Sequence, residues 1–112
     1  MARLTITTDR PRSGVVRVAL SGELDLSSAY RFDAELRRIE QTGPDMLIVD
    51  PRDLVFMDSA GLSRLLAAHQ RARRGGWRFG LIRGSDAVQR MLWMTATHER
   101  FLTLPEPAAA SR

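Results

Sequence analysis

Cysteine, lysine and asparagine are absent from the 112 residues. Without cysteine the chain has no disulfide, no thiolate metal ligand and no thiol nucleophile. Without lysine a Walker-type phosphate loop cannot be built. The only two histidines, His69 and His98, stand far apart and show no metal-ligand spacing, so no metal and no cofactor is expected. No apolar run reaches the ~18 residues that a membrane helix needs. The start, Met1-Ala2-Arg3-Leu4-Thr5, lacks the apolar stretch of a signal peptide. The expectation is a cytoplasmic protein with no membrane partner.

What is present describes one ordinary globular domain. Hydrophobic residues make up 44% and charged residues 27%. A chain of this length suits a single core. The net charge is +4 with a pI near 11.1, which invites thought of nucleic acid. All seventeen basic residues are arginines, however, and they are spread along the chain. Arg37-Arg38 and Arg71-Arg73-Arg74 close predicted helices, where cations complement the helix dipole. No aromatic residues interleave with them as a stacking platform requires. Direct nucleic-acid binding is therefore not expected.

Periodicity predicts a mixed α/β fold. Leu4–Thr8 reads as a short strand, Arg10–Gly14 as a turn, and Val15–Leu20 as a β-branched strand, so an antiparallel hairpin opens the chain. Ser21–Asp25 is expected to be a loop, with Ser27 or Ser28 capping the next helix. Ala29, Phe32, Leu36 and Ile39 make its apolar stripe. Asp33, Glu35, Arg37 and Glu40 are expected in water, and Gly43-Pro44 ends the helix. Met46–Val49 reads as a strand buried on both faces, stopped by Asp50-Pro51. A helix with Leu62, Leu65, Leu66, His69 and Ala72 inward and Arg71 outward follows, ending at Gly75-Gly76. Trp77–Ile82 is a strand, Ser85 caps a third helix from Asp86 to about Thr95, and Phe101–Leu104 is a last edge strand. Residues 1–104 are expected to form the domain and 105–112 a flexible tail. Strands alternating with single helices imply parallel crossovers and a mixed sheet of four to five strands.

In open sheets of this kind, functional loops lie beyond the carboxyl ends of parallel strands. That places Asp25, Asp50 and Asp58 around Ser59, at the entrance of the second long helix. A serine there can cap orphan N–H groups, and the same groups would welcome a phosphate on its hydroxyl. Catalysis fits poorly. A serine nucleophile needs a base within hydrogen-bond reach, and His69, ten residues along a helix, lies about 15 Å away. The carboxylates could do acid–base work or hold a hard cation, but so short a chain has little sequence to spare for a substrate pocket. The chain is not expected to be an enzyme.

Leu20-Ser21-Gly22-Glu23-Leu24-Asp25, then Phe56-Met57-Asp58-Ser59-Ala60-Gly61-Leu62, then Gly75-Gly76, resemble the anti-sigma factor antagonist family, whose fold is the STAS domain. The resemblance spans about Leu4 to Leu104. It implies phosphorylation at Ser59 by an anti-sigma factor that is also a Ser/Thr kinase, and resetting by a phosphatase. It implies that the unphosphorylated chain sequesters that kinase and so frees a sigma factor. Asp25, Asp58, Ser59, Gly61 and Leu62 are the partner-binding residues expected on this basis, with Ser63 a lesser phosphate acceptor. The runner-up is a non-phosphorylated STAS scaffold subunit of a transporter or signalling assembly; a small nucleotide-binding domain is a third reading. Two departures stand out. Thr95-Ala96-Thr97 replaces the family's Thr-Gly-Leu, so Ala would sit where glycine favours the left-handed region, at a cost on the order of 1 kcal/mol. Trp93 lies off the Val88–Leu92 stripe, as an exposed aromatic suited to a homodimer or partner contact, or as a ring tucked against the last strand.

Overall fold

The computed structural model describes residues 3–105. The expected flexible tail therefore lies, from residue 106 on, outside the described residues. Among the described residues five strands form one sheet in the order β1-β2-β3-β4-β5. The strands are β1 Thr5–Arg12, β2 Val15–Leu24, β3 Met46–Met57, β4 Arg78–Ile82 and β5 Leu102–Leu104; the helices are α1 Leu26–Glu40, α2 Ser59–Gly75 and α3 Asp86–Met94. Only β1 and β2 pair antiparallel; the other neighbours run parallel. The mixed sheet with an opening hairpin is thus the one expected.

Alternation along the strands builds the core. Val16, Val18 and Leu20 of β2 align with Leu47 and Val49 of β3 and, beyond them, Phe79 and Leu81 of β4. Against this face pack Ala29, Phe32, Leu36 and Ile39 of α1, the stripe that spacing predicts, with Leu62, Leu65, Ala68 and Ala72 of α2. Leu66 and His69 are only half-buried.

Both hairpin strands are longer than expected. β1 runs through Arg12, which leaves Ser13-Gly14 as the turn, with Gly14 at φ 78°. Pro11 is tolerated because β1 is an edge strand. β2 continues through Ser21–Leu24, which composition suggests as loop. Register shifts mark irregularities there, and Gly22 sits at φ 96°, where a Cβ would fall 1.8 Å from the Arg3 carbonyl oxygen. Only glycine lets β1's approach pass that close.

β3 also departs from expectation. Asp50-Pro51 does not end it. The ladder to β4 stops at Val49, and on the other side pairing skips from Asp50 to Asp53. Pro51 therefore lies where no ladder needs its missing N–H, and it is fully buried. α3 packs against this extension: the Ser85 hydroxyl donates to the Leu54 carbonyl at 2.6 Å, and Ser85 also caps α3.

Two charges expected in water on α1 are instead internal. Arg71 of α2 reaches across to Glu40 (2.7 and 2.8 Å) and Asp33 (3.5 Å), and Asp33 also accepts from Arg37 at 2.9 Å. Asp33 is 8% exposed. This paired cluster ties α1 to α2 along their seam.

Candidate functional site

β2 and β3 end side by side, with Leu24 opposite Met57. Each strand passes directly into a helix, so the N-termini of α1 and α2 emerge together. Their caps are both aspartates. Asp25 caps α1: its Oδ1 accepts from the Ser27 N–H at 3.0 Å and the Ser27 hydroxyl at 2.6 Å, while the Ser28 hydroxyl accepts from the Asp25 N–H at 3.0 Å. This is a reciprocal capping box. Neither Ser27 nor Ser28 is the cap itself. The Ser27 hydroxyl, more than any other group, holds the Asp25 carboxyl below the usual carboxylate range.

Asp58 does more. Its Oδ1 accepts from the N–H groups of Ala60 (2.9 Å) and Gly61 (3.1 Å), capping α2. Its Oδ2 accepts from the Leu26 N–H at the start of α1, 3.1 Å away. Its own N–H donates to the Leu24 carbonyl at 3.2 Å. One carboxylate thus joins both helix entrances to the end of β2.

Ser59 is consequently not the cap. It is the first residue of α2, exposed, and among the described residues nothing hydrogen-bonds its hydroxyl. Ala60 is half-buried, while Gly61 and Leu62 are buried. A Cβ at Gly61 would lie 2.6 Å from Leu24 Cγ and 2.9 Å from the Leu24 carbonyl oxygen. The small residue lets α2 sit on the end of β2, and Leu62 (5% exposed) anchors the same turn in the core.

Through the Leu26 bond Asp58 stands beside the residue that follows Asp25, so both aspartates lie at the end of the sheet where Ser59 begins α2; Asp50 does not join them. Asp50 lies opposite Ala19 in mid-sheet, and eight residues of strand at ~3.3 Å each separate it from Asp58 by some 20 Å or more. It is 7% exposed and held by both nitrogens of the Arg52 fork at 3.0 Å. The charge that sequence order suggests near the serine belongs to a pair elsewhere, in which Asp50 is buried and Arg52 is exposed.

Four large apolar side chains around this end face solvent: Leu26, Tyr30, Val55 and Phe56. Leu26 and Tyr30 are one helical turn apart. Tyr30 is off the α1 stripe, which is the only hint of it in the sequence. An open cleft of about 570 Å³ flanks Asp25, lined among others by Arg3, Glu23, Ser27 and Arg31, and Arg31 donates to the Leu4 carbonyl. Among the described residues no group of three or more His, Asp or Glu could hold a metal ion. No helix among them is long and apolar enough to cross a membrane.

A mixed five-stranded sheet whose two paired helix entrances carry aspartate caps and an exposed serine has close structural counterparts. A crystal structure of an anti-sigma factor antagonist from Mycobacterium paratuberculosis superposes with a TM-score of 0.84 at 24% identity, over 96% of this chain and 91% of that one. The anti-sigma factor antagonist SpoIIAA in its unphosphorylated form gives 0.77 at 22% identity, over 96% and 95%. Bacillus SpoIIAA in its phosphorylated form gives 0.72 at 21%, over 96% and 98%. The fold is theirs. The family model of the STAS domain matches residues 8–110, and the chain belongs to that family.

Proposed function

We propose that this chain is an anti-anti-sigma factor: a non-enzymatic binding module that sequesters an anti-sigma factor when Ser59 is free and releases it when Ser59 is phosphorylated. The observation that carries the reading is the Ser59 hydroxyl, exposed and unbonded at the junction of two helix entrances, with exposed Leu26, Tyr30 and Phe56 at the same end of the sheet. A hydroxyl committed to a cap would have to give up its bond to be modified; this one does not. Exposed apolar side chains beside it suit a protein partner rather than solvent. SpoIIAA, which shares the fold, exists in a phosphorylated form.

In this reading the partner is an anti-sigma factor with Ser/Thr kinase activity, and a phosphatase acting on phospho-Ser59 resets the switch in the cytoplasm. Asp25, Ser59 and the apolar ridge make the contact. Asp58, Gly61 and Leu62 act from beneath by fixing where Ser59 stands. Phosphorylation adds about −1.5 to −2 charge. Asp58 already occupies the N–H groups of Ala60 and Gly61, so those donors do not neutralise the phosphate. The added charge stands in water beside two carboxylates. Docking the partner must then bury it poorly paired. A 100-fold loss of affinity corresponds to about 2.7 kcal/mol, which one such charge can supply without a change of fold.

Incubation with the cognate kinase and ATP, followed by peptide mass mapping, tests the site. The expected result is one phosphate on the peptide holding Ser59, lost in Ser59→Ala. Phosphate that persists in Ser59→Ala, on Ser63 for example, overturns the assignment.

A further inference from the structure

The chain's only two histidines pack at its C-terminal end. His69 of α2 lies against Phe79 of β4 and Phe101, the residue before β5, with ring centroids 5.9 and 5.6 Å apart, and the two phenylalanines are 6.3 Å from each other. His98, in the short 3₁₀ turn His98–Arg100, lies on Trp93 at 4.3 Å. In each ring Nδ1 is buried and has no hydrogen-bond partner among the described residues. The strand that follows Phe101 is short. β5 has three residues and pairs on one side only, with Gly80–Ile82 of β4.

A neutral imidazole can leave one nitrogen as a bare acceptor; a protonated one must carry N–H on both. Protonation of His69 therefore places an unpaired donor at a buried atom. Around His69 the charged groups are Arg73 on its own helix and Arg100 from the turn before β5, both cations. The faces that β4 and Phe101 present to it are phenyl rings. His98 differs, with the Glu99 carboxylate 3.9 Å from its Nε2.

We propose that His69 forms a pH-sensitive latch that holds the 98–104 segment on the sheet while its ring is neutral and loosens it when the ring is protonated. His69 suits this role because, among the described residues, only the cations Arg73 and Arg100 act on it and its ring touches both β4 and the segment. Desolvation first, then Arg73 and Arg100, lowers its pKa below the ordinary 6.5. The docked state therefore favours the neutral ring. Docking is fully present above pH 6.5 and weakens as pH falls from there through the lowered pKa.

Amide hydrogen exchange on the full chain tests this, with protection factors for Leu102, Thr103 and Leu104 corrected for the intrinsic pH dependence. Between about pH 7.5 and 5.5, the range of histidine titration, protection in the unmodified chain should fall several-fold while Leu47–Val49 amides hold. In His69→Phe the fall should vanish. Constant protection in the unmodified chain, or an equal fall in His69→Phe, overturns the latch. If the variant fails to fold, the ring-proton titration of His69 in the unmodified chain decides, and a midpoint at or above 6.5 overturns it.

Discussion

Asp58→Ala separates the cap from the switch. Asp58 makes three side-chain bonds, to Ala60, Gly61 and Leu26. Losing an N-cap costs typically ~1 kcal/mol, within about 0.5–2. The Leu26 bond is made to a charged oxygen but by an exposed residue whose N–H water can re-solvate, which adds about 0.5–1 kcal/mol. The total is about 2 kcal/mol, or a fall in Tm of about 10 °C for a domain of this size. Asp58→Ser retains one oxygen for α2 but cannot also reach Leu26, so it should lose about a third to a half as much. Ser59→Ala, whose hydroxyl bonds nothing among the described residues, should change stability by less than about 0.5 kcal/mol. Urea unfolding of the three variants measures this. If Ser59→Ala loses about 1 kcal/mol while Asp58→Ala is silent, the serine is the cap and the assignment of roles here is reversed.

Two further substitutions probe backbone and packing. Ala96→Gly should stabilise by about 0.5–1 kcal/mol, because Ala96 stands at φ 57° in a helix end where Thr97 N–H bonds the Leu92 carbonyl at 2.9 Å, and thermal unfolding would show it. Gly61→Ala gains up to ~1 kcal/mol of helix propensity but drives a Cβ into Leu24 at a cost of about 1–3 kcal/mol, so a net loss of about 1–2 kcal/mol is expected in urea unfolding; a gain would show that α2 does not rest on β2 as described.

Much of the fold was legible because periodicity is a local property. The α1 stripe, the β-branched run of β2 and the Gly75-Gly76 stop needed no tertiary information. The helix indeed continues through Gly75, and Gly76, at φ 87°, closes it by donating to the Ala72 carbonyl. What escaped depends on neighbours remote in sequence. Pro51 reads as a strand end until one sees that the ladder to β4 stops at Val49 and leaves that edge to α3. Asp33 reads as wet until Arg71, 38 residues on, is seen to reach it. The family-departing Ala96 keeps the left-handed helix end that glycine would favour, with Ala96 at φ 57°, so α3 ends in the usual way. Trp93 is exposed, as one of its two readings had it, and one face is covered by His98 rather than by the last strand.

The site was legible in composition but not in roles. Asp58 and Ser59 are adjacent residues of equal capping aptitude, and sequence alone does not choose between them. The structure does: the Asp58 N–H is fixed on Leu24, which leaves its carboxylate facing both helix entrances and Ser59 one step inside α2. The expectation that one set of N–H groups caps a free hydroxyl and later holds a phosphate is therefore withdrawn. Gly61 is small because Leu24 lies beneath it.

The central claim is that Ser59 switches partner binding without switching the fold. Titration calorimetry of the anti-sigma kinase into the unmodified chain and into the chain phosphorylated at Ser59 measures it directly, with thermal unfolding of both forms alongside. The account predicts a fall in affinity of about 100-fold, corresponding to ~2.7 kcal/mol, at a nearly unchanged Tm. Equal affinities for the two forms, or a phosphorylated chain that has lost its folding transition, would contradict it.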